Sequence, residues 1–147
     1  MKQNYIFVLT LLFTLSIVNA IPHHLYKRET IFAPCPTGSP NVIKVDVQPD
    51  PPPSTGSLIL TISGTLKTGA ISAGSQLVLK PINTNGDVIA QPLTYDMCTL
   101  TDCPANYFSV IRSIDTTDMP LSYSIIVQIF DAYDQILACS IGTITGN

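Results

Sequence analysis

The chain has 147 residues, of which 46% are hydrophobic and only 12% charged, with a formal net charge of −3. That length suits one domain, and the acidic balance disfavours binding to a nucleic-acid backbone. Four cysteines form an even set, the pattern of a small exported protein held by disulfides.

The chain opens on a secretory signal pattern. Lys2 supplies the charged start, residues 5–18 the apolar stretch, and Val18-Asn19-Ala20 the small-residue cleavage site. Thr10, Thr14 and Ser16 interrupt the run, which is shorter than the roughly 20 residues of a spanning helix. Residues 1–20 are therefore expected to be removed on export. Lys27-Arg28 then stands before Glu29 in a stretch without strand pattern, so residues 21–28 read as a propeptide and 29–147 as the mature domain. Such trimming removes His23 and His24, the chain's two histidines. It leaves Lys44, Lys67, Lys80 and Arg112 against Glu29 and nine aspartates, a net charge of −6.

From residue 41 onward, short apolar runs alternate with Pro, Gly, Asn and Asp clusters, and no segment keeps a helical period for ten residues. This predicts an all-β domain of about seven strands. Ile43, Val45 and Val47 alternate with Lys44 and Asp46 in the first strand, which residues 49–56 end, because Pro51, Pro52 and Pro53 cannot donate ladder hydrogen bonds. Leu58, Leu60 and Ile62 mark the buried side of a second strand continuing through Gly64 to Leu66. In the third, Leu77 and Leu79 face in, while Gln76, Val78 and Lys80 face out.

A turn is expected at residues 83–86, where Asn85-Gly86 signals a hairpin because both residues tolerate positive φ. Residues 88–95 are then the returning strand, with Pro92 implying an edge or a bulge. Residues 107–114 form the next strand, burying Phe108, Val110 and Ile114, with Arg112 interrupting the apolar side. The clearest strand carries Tyr123, Ile125, Val127 and Ile129 on one face. After a turn at residues 131–135, residues 136–144 form the last.

Three pairings of four cysteines are open. The short gap from Cys98 to Cys103 favours closure there, leaving Cys35 and Cys139 to tie the two ends of the domain. Paired C-x-x-C spacing is absent, which argues against zinc.

Several of these residues fall in a recognisable order: Pro34-Cys35, Val45-x-Val47-x-Pro49, Pro52-Pro53 before Gly56, Tyr95-Asp96-x-Cys98, Cys103-Pro104, Pro120-x-x-Tyr123 and Cys139. The set resembles the ML (MD-2-related lipid-recognition) domain. Within that family it looks most like the fungal phosphatidylglycerol/phosphatidylinositol transfer proteins, relatives of the Niemann-Pick type C2 sterol carrier. The resemblance spans residues 32–144. It implies an immunoglobulin-like two-sheet antiparallel β-sandwich with an inter-sheet lipid cavity, and the same disulfide pairing. Two departures stand out: no cysteines exist for the third disulfide of the animal sterol carriers, and the segment after Cys103-Pro104 is short, reading Ala105-Asn106-Tyr107.

A protein that lifts a lipid from a bilayer must replace the contacts its tail gives up. At about 0.8 kcal/mol per methylene, a sixteen-carbon chain needs roughly 13 kcal/mol of matching apolar burial. Only a deep, dry slot supplies that. The candidate lining is the inward set Leu58, Leu60, Ile62, Leu77, Leu79, Phe108, Val110, Tyr123, Ile125, Val127 and Ile129. Each of these also suits an ordinary sandwich core. Lys67, Lys80 and Arg112 are the cations available to an anionic headgroup.

Catalysis finds little support in the sequence. A serine hydrolase needs a base, yet the mature domain has no histidine and no G-x-S-x-G elbow. Asp131 and Asp134 lie in a turn, where aspartate has a structural use. Metal clusters, phosphate-cradling glycine loops and Asn-x-Ser/Thr sequons are absent. The expectation is a non-enzymatic, cofactor-free monomer, secreted or in the vacuolar lumen. It would carry a phospholipid or sterol between membranes through transient surface contact. The alternative is a lipid-sensing or adhesion-type module acting through a protein partner.

Overall fold

The computed structural model describes residues 30–36, 38–53 and 56–145. The signal peptide at 1–20, the propeptide at 21–28 with its Lys27-Arg28 site, and both histidines lie outside the described residues. Eight strands follow one another: β1 Phe32–Pro34, β2 Lys44–Gln48, β3 Ser57–Thr65, β4 Gln76–Ile82, β5 Leu93–Asp96, β6 Tyr107–Asp115, β7 Ser122–Phe130 and β8 Ile136–Thr145. They make an all-β sandwich of a five-stranded sheet, ordered β1-β8-β7-β4-β5, and a three-stranded sheet, ordered β2-β3-β6. Every strand pairing is antiparallel.

Period-two burial runs through β2, β3, β6 and β7 as side-chain alternation requires, while β8 buries Leu137, Ala138, Cys139 and Ser140 in succession. In β7 the buried residues Tyr123, Ile125, Val127 and Ile129 alternate with half-buried neighbours. In β6 the outward residues Tyr107, Ser109, Ile111, Ser113 and Asp115 are all exposed. One apolar core fills the space between the inner faces and extends to Ile71 and Met97 on connecting segments.

Both disulfides join as read from the sequence: Cys35 to Cys139 and Cys98 to Cys103. The first lies where the sandwich is closed most firmly. The segment leading into β2 runs along β8, with the Cys139 N–H donating to the Asn41 carbonyl at 3.2 Å. Ser140 is wholly buried, and its hydroxyl accepts the Ile43 N–H at 3.0 Å while donating to the Ile43 carbonyl. One hydroxyl thus ties β8 to the segment leading into β2 by two hydrogen bonds. Nearby, the buried Asn41 amide donates to the Leu137 carbonyl at 2.7 Å and to the Thr68 carbonyl at 2.9 Å, and accepts from the Lys67 N–H at 2.6 Å.

Three expectations need correction. The strand read at residues 88–95 shortens to Leu93–Asp96, with only a single bridge between Ile82 and Val88 before it. The Asn83 side chain organises this loop instead, accepting the N–H groups of Asn85 and Asp87 at 2.9 Å. In the turn only Gly86, and not Asn85, takes a positive φ, so it is not the two-residue hairpin expected of Asn-Gly. The first strand starts at Lys44 because Ile43 gives its hydrogen bonds to Ser140.

Two elements went unread. β1 is only three residues long, too short for a periodic signal, and is held by Phe32 lying across Gly142, its cross-strand partner. A single 3-10 turn, Met97–Thr99, is capped by the Asp96 carboxylate, which accepts the Cys98 N–H at 2.8 Å. It sinks Met97 into the core without any periodic pattern to announce it.

Candidate functional site

The inner faces meet between the sheets. From the three-stranded sheet come Leu58, Leu60 and Ile62 on β3 with Phe108 and Val110 on β6. Opposite them stand Leu77 and Leu79 on β4 with Tyr123, Ile125, Val127 and Ile129 on β7. None of the eleven is more than 5% exposed, so this interior is shut off from solvent. The sequence-derived lining set is therefore brought together as one buried body. Val45, Val47, Ile114 and Ile144 join it. The alternation that buries Val45, Val47 and Ile114 in β2 and β6 was legible, whereas Ile144 on β8, Ile71 and Met97 gave no such signal.

The phenol oxygen of Tyr123 is sealed inside. Tyr123 is 4% exposed, and its phenol oxygen has no hydrogen-bond partner among the described residues. Burial pushes its pKa above the usual tyrosine value, because the phenolate would lose its hydration.

The three candidate cations are dispersed. Lys67 is exposed in the connection after β3, and Lys80 lies on the outward side of β4. Arg112 alone points inward, sharing the side of β6 that carries Phe108, Val110 and Ile114. It is half-buried. Its guanidinium carbon stands 4.8 Å from the ring centroid of Tyr95, a cation–π contact between β6 and β5. Nη1 donates to the Ile111 carbonyl at 2.6 Å, while Nε is buried without an acceptor among the described residues. Tyr95 was read only as part of a strand and a motif. Its meeting with Arg112 follows from β5 and β6 each ending a sheet on the same side of the sandwich.

Among the described residues, two of the concavities lie on the outer surface. One of about 720 Å³ runs beside β2 and β3, lined by Asp46, Gln48, Pro49, Ile59 and Thr61 among others. Thr30 is fixed there, its N–H and hydroxyl donating to the Asp50 carboxylate at 2.7 and 2.9 Å. The other, of about 390 Å³, sits on the disulfide-closed loop from Cys98 to Asp102. Neither opens onto the eleven interior residues. Among the described residues no three His, Cys, Asp or Glu side chains cluster as metal ligands would.

These features define a disulfide-linked antiparallel sandwich with an aliphatic interior. Solved structures share the architecture. A Niemann-Pick type C2 protein from Japanese carpenter ant superposes with a TM-score of 0.53 at 12% identity, over 80% of this chain and 99% of that one. Chicken MD-1, solved in complex with lipid IVa, superposes with a TM-score of 0.51 at 14% identity, over 78% and 87%. At such identities the likeness establishes the fold, which is the immunoglobulin-like sandwich that the ML resemblance implied. No protein-family model and no curated protein matches the sequence.

Proposed function

We propose that this chain is a lipid carrier of the ML type, similar to the fungal phosphatidylglycerol/phosphatidylinositol transfer proteins. It takes the apolar part of a phospholipid or sterol between its sheets and moves it between membranes. The observation that carries this reading is the interior itself. Eleven inward side chains, nine of them aliphatic, form one continuous apolar body on the fold of the lipid IVa-bound MD-1. Filling the space between the layers with hydrocarbon exchanges one apolar contact for another, so no polar group beyond the Tyr123 hydroxyl is stranded. The protein acts by burial and performs no catalysis. Its disulfides suit an oxidising compartment, extracellular or vacuolar.

Contact with a bilayer has a natural place at one end. Ile82 at the end of β4 pairs with Ser124 near the start of β7 on one side and with Val88 on the other, so the segments holding Val88 and Leu121 lie at the same end of the sheet. Leu121 is 67% exposed and Val88 48%. Apolar tips of this kind insert shallowly into a headgroup region.

The test is extraction and transfer. Protein expressed through a secretory pathway and purified without detergent is expected to yield about one lipid per chain on organic extraction. It should also accelerate movement of a fluorescent phosphatidylinositol between vesicles. Absence of both retires the carrier reading.

A further inference from the structure

The outward sides of the two sheets are unlike. On the three-stranded sheet β2 turns Lys44, Asp46 and Gln48 to solvent, and Ile111 on β6 stands between Ser109 and Ser113. The five-stranded sheet is apolar at its middle. There β7 carries Ile126 and Phe130 on the side away from the core, β8 pairs Ile141 and Ile136 with them, and β4 adds Val78. A strand that is apolar on both sides has the pattern of one covered on both sides. All five residues are half-buried, and among the described residues the sandwich has only two layers, so nothing in its architecture covers them.

Register sets this face out in rows that cross the strands. Lys80, Ile126 and Ile141 form one row, Val78 and Gln128 lie in the next, and Gln76, Phe130 and Ile136 form the third, with Asp96 on β5 beside Gln76. The charges stand at opposite ends of the face. Lys80 is unpaired, since among the described residues the only ion pair joins Lys44 to Asp46, and Asp96 is exposed. A two-fold axis along the middle row reverses the strands and lays each outer row on the other. Ile126 then covers Phe130 of a second copy, Ile141 covers Ile136, and Lys80 comes to Gln76 and Asp96. Gln128 meets its own counterpart on the axis, where two amides can exchange hydrogen bonds. A second copy therefore matches both the apolar middle and the charged ends, as a self-complementary interface requires. Five strands about 4.8 Å apart, with seven residues of about 3.3 Å each along β4, give a face of about 550 Å². A pair would bury about 1,100 Å², above the roughly 1,000 Å² that a specific interface needs.

We propose that the outward face of the five-stranded sheet is a homodimer interface, on which a second copy of this chain packs its own β4, β7 and β8 about an axis through Val78 and Gln128. The pair replaces the monomer expected from the sequence. It is independent of the carrier reading, because the interior between the sheets takes no part in it. Since the axis reverses the strands, the ends bearing Val88 and Leu121 point away from each other in the dimer.

The experiment is sedimentation equilibrium of the mature domain with both disulfides formed, at up to about 100 µM. Twice the chain mass is expected for the wild type and for Ile111→Lys, which puts a charge on the other sheet. Ile126→Lys should weaken the dimer about a hundredfold by burying an unpaired charge, with thermal melting to show that it folds. Lys80→Glu, a surface change, should weaken it about tenfold or more by setting carboxylates together. Adding Gln76→Lys to Lys80→Glu should restore it. Positions 76 and 80 are about 13 Å apart along one strand, too far to pair within a chain, so only the two-fold brings them together. A wild type of single-chain mass at the highest concentration overturns the proposal, whatever other partner is found on the face. Loss of the dimer in Ile111→Lys but not in Ile126→Lys overturns it by moving the interface to the other sheet. Should Ile126→Lys fail to fold, Lys80→Glu and its rescue decide, and a double variant as weak as Lys80→Glu alone overturns the two-fold arrangement.

Discussion

Replacing Ser140 by alanine tests how the closed edge is held. The hydroxyl is the sole hydrogen-bond partner found for the N–H of Ile43 and also serves its carbonyl, at a residue only 1% exposed. Removing it orphans two buried main-chain groups at once. Each costs about 1–3 kcal/mol, so Ser140→Ala should lose about 2–6 kcal/mol, a large share of the 5–15 kcal/mol typical of a domain. At about 4 °C per kcal/mol for a domain of this size, the melting temperature should fall by roughly 8–24 °C. Urea denaturation should show a lower midpoint with an unchanged slope. Ser109→Ala on the exposed side of β6 is the control, expected within about 0.5 kcal/mol of wild type. A melting temperature for Ser140→Ala within about 2 °C of wild type would refute the idea that this hydroxyl ties β8 to the segment leading into β2.

The two disulfides should contribute unequally. Their sequence separations of 104 and 5 correspond to about 4.7 and about 2 kcal/mol of chain entropy, so the Cys35→Ser/Cys139→Ser pair should destabilise well beyond Cys98→Ser/Cys103→Ser in parallel denaturant titrations. Tyr123→Phe removes a buried, unpartnered hydroxyl and should leave stability at pH 7 unchanged or raised by about 1 kcal/mol. Because the folded pKa of Tyr123 is raised, its contribution is fully present below the unfolded value near 10 and is lost as pH climbs toward the folded value. Wild-type stability should therefore fall more steeply than that of Tyr123→Phe above pH 10, with one phenol titrating late in ultraviolet difference spectra. Gly64→Ala places a methyl group 2.9 Å from the ring of Phe108, which is 1% exposed and cannot retreat, so about 1–3 kcal/mol should be lost, measurable by thermal melting.

Some of the candidate site could be read before any coordinates. The alternation of β7 assigns Tyr123, Ile125, Val127 and Ile129 to one face and Ser124, Ile126, Gln128 and Phe130 to the other. The same holds for Leu77 and Leu79 on β4 and for Leu58, Leu60 and Ile62 on β3. What failed was local punctuation. Asn85-Gly86 signals a tight hairpin, yet Asn83 and its side chain built a longer loop, and Pro92 kept the returning strand short. Met97 and Ile71 reached the core from irregular segments, where burial depends on what lies across the gap and leaves no period to read.

Side-chain direction along a strand is a property of the strand alone, since successive residues point to opposite faces wherever it packs. From that periodicity the amino-acid order settled the all-β class, most of the buried set and the inward parity of Arg112. Tertiary structure alone decided which strands ended the sheets, how the layers were joined at one side by Ser140 and Asn41, and that Arg112 met Tyr95 at the other. Those outcomes depend on contacts between segments distant in sequence, and no local pattern encodes which of many distant partners a residue will meet.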